Sequence, residues 1–299
     1  MHYVILDMEW DSAYHKVHKR FVNQILQIGA VKLDENFNIA DIFDVTVKSD
    51  ISKRVSRRFI ELTGITKEMM LDGIPLSDAV NKYNNWLGED TVTITWSNSD
   101  LYTIAENEKY LLNNLNFKMD KYLDLQKFIQ GELRLLGHEI KSQISLSNAA
   151  ELLGITTEGY DLHTAKDDSL LCAALLKKRY NESAFDNLIK DTSNPEFYSQ
   201  LYFKPYYISR INDELVDKKT LEFYCEKCES KMKRLTKWRH HNNWFNANFV
   251  CSDCGKKYIC RVSYKKTYDN LIVKRRVLEP KVKTVEGSED AVQPMPTTV

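Results

Sequence analysis

The sequence has no long apolar run and no recognisable targeting pattern at its start. No stretch approaches the roughly 18 apolar residues that a membrane-spanning helix needs. Asp7 and Glu9 interrupt the first apolar run, whereas a secretory signal has an unbroken apolar region after its basic residues. We therefore expect a cytoplasmic protein without membrane association. No internal repeat is evident either.

The chain also lacks a net charge, but its charges are unevenly distributed. Among 299 residues there are 42 Lys or Arg and 42 Asp or Glu. Residues 218–276 contain sixteen basic and five acidic side chains, so the remainder of the chain carries a balancing excess of eleven negative charges. The sequence therefore indicates a basic module attached to an acidic body, and its length allows one ordinary core plus a smaller module.

Acidic residues occur where predicted strands end. Asp7 and Glu9 follow the β-branched and aromatic run Tyr3–Leu6, and side chains two apart on a strand point to the same face. Asp100 follows a second strand-like run, Thr91–Trp96, after a short polar break. Because open α/β sheets build ligand sites at the ends of their strands, these carboxylates are candidates for one site.

A later pair, His163 and Asp168, opens a helical pattern whose apolar positions share a face. Taken singly, these residues have ordinary structural explanations. Asp100 could cap its own helix, and Thr164 could cap the last helix with Asp168 in its first turn. The order, spacing and context of the three clusters together favour a shared site.

These motifs resemble those of a known family. Residues 1 to about 179 are similar to 3′-to-5′ exonucleases of the DEDDh type, in the ribonuclease H-like superfamily, and to its Eri-type and KapD-type branch. Ser97 stands where that branch often has Gly. The matching motifs are Asp7-Met8-Glu9, the strand 24–33, Leu62-Thr63-Gly64-Ile65-Thr66, Trp96-x3-Asp100, Leu153-Gly154-Ile155 and His163-x4-Asp168.

The resemblance implies an α/β fold, with a central mixed sheet and helices on both sides. It implies hydrolysis of single-stranded RNA or DNA from the 3′ end, releasing nucleoside 5′-monophosphates, with RNA narrowly preferred because of the Eri-type likeness. His163 would be the general base on water. The implied ligands of two Mg²⁺ or Mn²⁺ ions are Asp7, Glu9, Asp100 and Asp168.

Two weaker candidates lie near these motifs. Trp10 could stack on a terminal base, or it could pack beneath a loop at residues 11–20. A basic cluster could receive backbone phosphates, or it could be a solvated helix face. We interpret His2, His15 and His18 as surface or loop residues. The basic cluster comprises Lys53, Arg54, Arg57 and Arg58.

Cysteines are concentrated in the basic module. Cys225-x2-Cys228 and Cys251-x2-Cys254 form two knuckles separated by 22 residues. Paired Cys-x2-Cys knuckles are typical of tetrahedral zinc, and we expect one structural Zn²⁺ in a zinc ribbon; disulfides are the alternative. We expect Cys260, His240 and His241 to be outside the site, and Cys172 to be a buried thiol.

The basic module also contains interspersed aromatic residues. Positive charge with aromatics is typical of single-strand binding, although the aromatics could equally form the module's own core. The basic residues are Lys231, Lys233, Arg234, Lys237 and Arg239, extended by Lys265, Lys266, Lys274, Arg275 and Arg276; the aromatics are Trp238, Trp244, Phe245 and Tyr258.

The sequence predicts four segments: an exonuclease domain at 1–182, a packed connector at 183–217, a basic zinc-ribbon module at 218–276 and a disordered tail at 277–299. Two other functions are compatible with this organisation. The chain could be a non-catalytic nucleic-acid-binding adaptor, or the ribbon could dock the chain onto a protein partner. Oligomeric state does not follow from these patterns.

Overall fold

The computed structural model describes residues 2–280, and the chain divides between Tyr202 and Phe203 into two units. This division falls inside the segment expected to be a connector, 183–217. Residues before it belong to the first unit because Phe185, Phe197 and Leu201 are buried in its hydrophobic clusters. Up to Tyr202, the aromatic residues of the segment therefore supply core residues of the first unit.

The first unit is built on a seven-stranded mixed sheet with helices on both faces. Its elements are β1 (His2–His15), β2 (Arg20–Leu33), β3 (Ile39–Lys48), α1 (Arg57–Thr63), α2 (Lys67–Asp72), β4 (Ile74–Pro75), α3 (Leu76–Leu87), β5 (Thr91–Thr95), α4 (Ser99–Tyr110), β6 (Lys121–Asp124), α5 (Leu125–Leu135), α6 (Leu146–Leu152), α7 (Ala165–Arg179), α8 (Glu182–Asp186), β7 (Lys190–Asp191) and α9 (Pro195–Tyr202). The strand order is β4-β3-β2-β1-β5-β6-β7.

The central strand β1 pairs antiparallel with β2 and parallel with β5. One hydrophobic cluster joins the sheet to α5, α6 and α7, and a second joins its opposite face to α3, α4 and α9. The predicted fold class, a mixed sheet flanked by helices, is confirmed. None of the helices within residues 2–280 is long and apolar enough to cross a membrane.

The expectation of a loop at residues 11–20 is wrong, because β1 and β2 continue as a hairpin to His15 and Arg20. Tyr14 lies opposite Phe21, with ring centroids 5.5 Å apart. Such cross-strand aromatic pairs stabilise antiparallel strands, so the ladder extends past the acidic motif. The strand that the resemblance begins at residue 24 starts four residues earlier.

The start of α7 lies directly on β2 at Gly29. A Cβ atom at this glycine would be 2.2 Å from the carbonyl carbon of Ala165. The side chain of Ser169 donates a hydrogen bond to the Gly29 carbonyl at 3.1 Å. Since Gly29 lies opposite Asp7 in the ladder, this close approach brings the first turn of α7 next to the acidic motif.

The second unit is a small β structure with its own core, in which Phe223, Phe245 and Phe249 are buried. The path β10-β11-β12-β13 forms its sheet, with β8 paired to β12 and β9 paired to β11. Its elements are β8 (Tyr206–Tyr207), a 3₁₀ turn (Lys218–Leu221), β9 (Lys233–Arg234), β10 (Arg239–His241), β11 (Trp244–Val250), β12 (Lys257–Lys266) and β13 (Leu271–Leu278).

The residue at which the tail was expected to begin, Val277, is too early in the chain. Val277 lies opposite the buried Cys260 and packs against the core of the second unit, so β13 continues to Leu278. Residues 281–299, the rest of the expected tail, lie outside the described part of the chain. The other predicted domain limits stay predictions.

We predict that Gly29→Ala destabilises the first unit by about 1–3 kcal/mol, the usual cost of inserting a methyl group into a packed site. Gly131→Ala is the matched control, because nothing lies within 4 Å of a Cβ at that helical glycine. It should stabilise the protein by about 0.5–1 kcal/mol. Urea unfolding of both variants measures the difference, and equal midpoints would contradict the close approach.

Candidate active site and candidate zinc site

Three carboxylates from two distant segments meet at the first unit's sheet. Asp7 and Glu9 project from the same face of β1, and Asp168 lies in the first turn of α7. One oxygen from each of the three lies within 4.8 Å of the others. All three side chains are only partly buried, so a ligand can reach them. Carboxylates at this separation can hold a divalent cation.

Asp100 approaches the same place from the first turn of α4. It is 4% exposed, and its Oδ1 accepts a hydrogen bond from the Met8 amide at 3.2 Å. The expectation that it caps its helix is wrong, because α4 begins at Ser99 with Asn98 as the N-cap residue. Asp100 is therefore the second residue of the helix. From this position its carboxylate reaches the Met8 amide of β1.

Burial and nearby negative charges raise the pKa values of all four carboxylates. Burial, followed by the charges of Asp100, Asp168 and Glu9, raises the pKa of Asp7 well above its ordinary value. Burial, with the charges of Asp168 and Asp100, raises the pKa of Glu9 to about 8. Burial is also the main cause that raises the pKa of Asp100 to about 7 and the pKa of Asp168 above its ordinary value.

Within residues 2–280, no Lys or Arg forms an ion pair with any of the four carboxylates. Closely spaced carboxylates without a counter-charge repel each other when ionised. The donor set is made only of hard oxygen ligands, which fits Mg²⁺ or Mn²⁺.

His163 lies in the turn that precedes α7, and its side chain is exposed. Its amide donates to Asp168 Oδ1 at 3.4 Å. Its φ of +70° is uncommon for a residue other than glycine, and strain of this kind concentrates at functional sites. Thr164 caps α7 by accepting from the Asp167 amide, so the expected capping role and the acidic cluster coexist.

Gln27 and Gly29 support the site and were not singled out from the sequence. Gln27 lies opposite Glu9; its Nε2 donates to Asp44 at 2.9 Å, and its Oε1 accepts from the Ala165 amide at 3.2 Å. It thereby fixes where α7 begins. The strand pattern could have indicated this, because Gln27 and Gly29 are two residues apart, as Asp7 and Glu9 are, and residues two apart share a strand face.

The predicted basic cluster lies beside this site, anchored by Asp11. The Asp11 carboxylate, two residues after Glu9, accepts from the Ser56 amide at 2.6 Å and from the Ser56 hydroxyl at 3.0 Å. Ser56 in turn caps α1. The four cationic side chains on either side of it are exposed, and Arg57 also pairs with Glu61 at 2.7 Å; they are Lys53, Arg54, Arg57 and Arg58.

The remaining aromatic and histidine candidates near the site are divided between surface and core. Trp10 is partly buried and packs against the hydrophobic cluster on the α3 and α4 face. His2 and His18 are exposed, and His15 is half-buried at the hairpin turn, where its ring lies 4.6 Å from that of His18. Cys172 is a buried thiol in the cluster beneath α7.

In the second unit, the two cysteine pairs meet as predicted. The Sγ atoms of Cys225, Cys228, Cys251 and Cys254 lie within 4.8 Å of one another, and none of the four forms a disulfide. The distance of 3.8 Å between Cys225 Sγ and Cys254 Sγ equals the edge of a tetrahedron with metal–sulfur bonds of about 2.3 Å. The Tyr258 hydroxyl, 3.5 Å from Cys225 Sγ, lowers the pKa of that thiol to about 6. The arrangement therefore fits zinc.

The expected non-ligands lie outside this cysteine cluster. Burial in β12 raises the pKa of the Cys260 thiol to about 12. His240 is exposed and contacts the Phe245 ring, with centroids 5.0 Å apart, and His241 is exposed. Phe245 and Tyr258 are buried core residues, so they are unavailable for stacking on a base.

Comparison with known proteins relates the first unit to nucleases. The exonuclease family RNase_T matches residues 4–176. A PolC-type DNA polymerase III from Bacillus subtilis (strain 168) is 26% identical over 125 residues, which are 42% of this chain and 7% of the polymerase. The chain therefore spans a small part of that curated relative.

Solved structures share the fold. Cell-death related nuclease 4 (CRN-4) is 23% identical, with a TM-score of 0.50, over 59% of this chain and 62% of that one. A full-length 3′-exonuclease is 19% identical, with a TM-score of 0.53, over 65% of this chain and 91% of that one. The nuclease domain of 3′hExo, a DEDDh family member bound to rAMP, is 22% identical, with a TM-score of 0.50, over 59% and 90%.

We predict that raising the pH destabilises the metal-free first unit. The folded state keeps a proton on Glu9 up to pH about 8, whereas the unfolded chain releases it near its ordinary pKa of 4.5. Stability therefore falls between these two values, and added Mg²⁺ or Mn²⁺ should raise the melting temperature more at pH 8 than at pH 5.5. Thermal melts test this.

The control for the pH effect is Glu9→Gln, which has no ionisable group at this position. Its melting temperature should fall less between pH 5.5 and pH 8 than that of the parent, when both are measured without added divalent metal. An identical pH dependence in the two proteins would contradict the assignment of the raised pKa to Glu9.

We predict that Cys251→Ser loses the metal, because a tetrahedral site cannot be completed by three thiolates from these knuckles. Metal analysis of the purified parent should find about one zinc per chain. Cys260→Ser is the matched control and should keep it, since this thiol is outside the cluster. Zinc retained by Cys251→Ser and lost by Cys260→Ser would require a different ligand set.

Proposed function

This chain belongs to the exonuclease family that matches its residues 4–176, and we propose that it is a metal-dependent 3′-to-5′ exonuclease acting on single-stranded nucleic acid. The predicted membership of an exonuclease family is confirmed by that match, and the DEDDh type is part of the proposal. The observation that carries the proposal is the meeting of Asp7, Glu9 and Asp168 at the middle of β1, with Asp100 held against the same strand and with no Lys or Arg among residues 2–280 paired to any of them. Products would be nucleoside 5′-monophosphates.

In this proposal, Asp7, Glu9, Asp100 and Asp168 hold two Mg²⁺ or Mn²⁺ ions. Bound divalent cations would supply Lewis-acid stabilisation of the phosphate and a lower pKa for the attacking water. The protein contributes the placement of its carboxylates. The Met8 amide holds Asp100, and the contacts of Gln27 with Ala165 and of Ser169 with Gly29 hold the helix that carries Asp168.

His163 is the proposed general base. Its exposed imidazole is five residues from Asp168, and the hydrogen bond from its amide to Asp168 fixes the turn beside the carboxylates. An imidazole nitrogen can accept a proton from water and release it to solvent. Removing a general base typically costs 10²- to 10⁴-fold in rate.

The nucleic-acid strand would enter across the basic cluster at residues 53–58, which spans the start of α1. Asp11 shares a strand face with Glu9 and holds Ser56, and the exposed cations flank Ser56 in the chain. We propose that these cations bind backbone phosphates. Trp10 is kept as a proposed base contact through the part of its ring that is not buried.

RNA remains narrowly preferred in the proposal, on the Eri-type resemblance. One neighbour of the fold is a 3′-exonuclease described in 3′-end-specific recognition of a histone mRNA stem-loop, and 3′hExo was solved with rAMP. These ligands belong to those proteins. For this chain, discrimination by a 2′-hydroxyl is the property to be measured.

The main alternative is a non-catalytic adaptor that binds nucleic acid without cleaving it. Raised pKa values in the acidic cluster favour the enzyme, because a binding surface for phosphates has no use for four adjacent carboxylates. A ribbon that docks the chain onto a protein partner is compatible with either function.

We predict that 5′-labelled single-stranded oligonucleotides are shortened from the 3′ end in Mg²⁺ or Mn²⁺. Asp7→Ala should abolish the ladder of products, because it removes a shared metal ligand. His163→Ala should slow it by about 10²- to 10⁴-fold. The matched controls are Asp72→Ala and His2→Ala, whose side chains are exposed and away from the acidic cluster. Parallel RNA and DNA substrates show which sugar is preferred.

Two results would contradict the proposal. Cleavage that persists in Asp7→Ala would mean that the activity does not use this site. Binding of both polymers without cleavage of either by the parent protein would favour the adaptor.

A further inference from the structure

The sheet of the second unit has one face in its core and one face outside it. Alternation along β11 buries Phe245, Ala247 and Phe249, so Trp244 and Asn246 project to the opposite side. We call that side the outer sheet face. The register assigns to it the side chains of Arg239, Trp244, Asn246, Arg261, Lys274 and Arg276.

Three arginines stand in a single row across this face. Arg239 lies opposite Asn246, Asn246 lies opposite Arg261, and Arg261 lies opposite Arg276. Neighbouring strands are about 4.8 Å apart, so the row crosses four strands in roughly 14 Å. Like charges directly opposite each other destabilise a sheet, and Arg261 and Arg276 are such a pair.

No carboxylate neutralises this row within residues 2–280. Lys231 pairs with Glu222 and Lys256 pairs with Glu279, and neither pair involves the outer sheet face. A row of like charges that is kept without counter-charges is suited to an anionic ligand with repeated charges.

Trp244 adds an aromatic surface to the same charges. Its ring centroid is 5.4 Å from the Arg261 guanidinium carbon and 5.0 Å from that of Arg276. Arg261 is held in place because its Nε donates to Asn246 Oδ1 at 2.6 Å. Aromatic rings beside guanidinium groups bind single strands, since bases stack on the ring and phosphates pair with the cations.

On the opposite side of the same strands, an arginine makes contacts that stabilise the fold. Arg275, one residue before Arg276, stacks on the Phe223 ring at 4.5 Å and donates to the Glu222 carbonyl. Arg234 lies opposite the buried Phe249, so it is also on the inner side, although it is exposed at the edge. Among residues 2–280, the side-chain contacts of the row are those of Arg261 with Asn246 and of Arg261 and Arg276 with Trp244.

We propose that the outer sheet face binds single-stranded nucleic acid without sequence preference, with phosphates on the arginine row and a base on Trp244. This deepens the proposed function and takes the identity of the polymer from it, but the binding does not require cleavage. Of the aromatics predicted from sequence for this role, Trp244 is the one that the sheet places beside the charges.

The test measures binding by the full chain in an Asp7→Ala background, so that the probe is not degraded. Fluorescence anisotropy follows 5′-labelled 20-nucleotide oligo(U) and oligo(dT) at several salt concentrations. Arg276→Ala should weaken binding and reduce the slope of log affinity against log salt by about 0.7, the value for one single-strand phosphate contact. Trp244→Ala should weaken binding by about tenfold with little change in slope.

Arg234→Ala is the matched control, because it removes the same charge from the inner side and should leave the affinity and the slope nearly unchanged. Unchanged binding in both Trp244→Ala and Arg276→Ala would overturn the proposal, and would leave an acidic protein segment as the candidate occupant. An equal loss in Arg234→Ala would also overturn it, since general charge would then explain the binding.

Zinc content and melting temperature show whether each variant is folded. If Trp244→Ala loses zinc, Arg276→Glu decides instead, because Arg276 is exposed; charge reversal should weaken binding more than Arg276→Ala, and unchanged binding would overturn the proposal. Failure of the proposed enzyme function is distinguishable. A parent chain that cleaves nothing, yet loses binding on substitution of Trp244 and Arg276, would contradict the exonuclease and support this surface.

Discussion

The contact between the backbone of α7 and Gly29 of β2 is the constraint on which the acidic site depends. Only a residue without a Cβ allows the helix to lie this close to the strand. Gly29 is opposite Asp7, and Asp168 lies one turn along the helix from Ala165. Gln27 and Ser169 lock the same contact with hydrogen bonds. This contact places the carboxylate of Asp168, from the last motif in the sequence, beside β1.

That placement has an electrostatic cost in the absence of metal. Burial raises the pKa values of Asp7, Glu9, Asp100 and Asp168, and repulsion from neighbouring carboxylates adds to the rise, so the fold keeps protons that the unfolded chain would release. Bound divalent cations would replace those protons, and the same charges would then favour the fold. The packed helix and sheet hold the acidic residues together against this repulsion, which is why the site is built on rigid elements.

The second unit has a small core and many basic residues on its surface. Strand alternation divides its aromatic residues between the two. Phe245 packs inside, whereas its neighbour Trp244 lies with Arg261 and Arg276 on the other face. The cysteine cluster fits a metal that would tie the knuckles together where apolar burial is limited. One sheet can therefore supply both a core and a charged face.

The sequence by itself determined what depends on short spacing. Asp7 and Glu9 share a face because a strand repeats every two residues, Thr164 caps α7, and each Cys-x2-Cys forms one knuckle. Contacts between distant segments were decided only by the tertiary structure. Asp100, which was expected to cap its helix, instead accepts a hydrogen bond from Met8. A hairpin occupies residues that were expected to form a loop. Local periodicity fixes where a side chain points, but only packing fixes which distant backbone it meets.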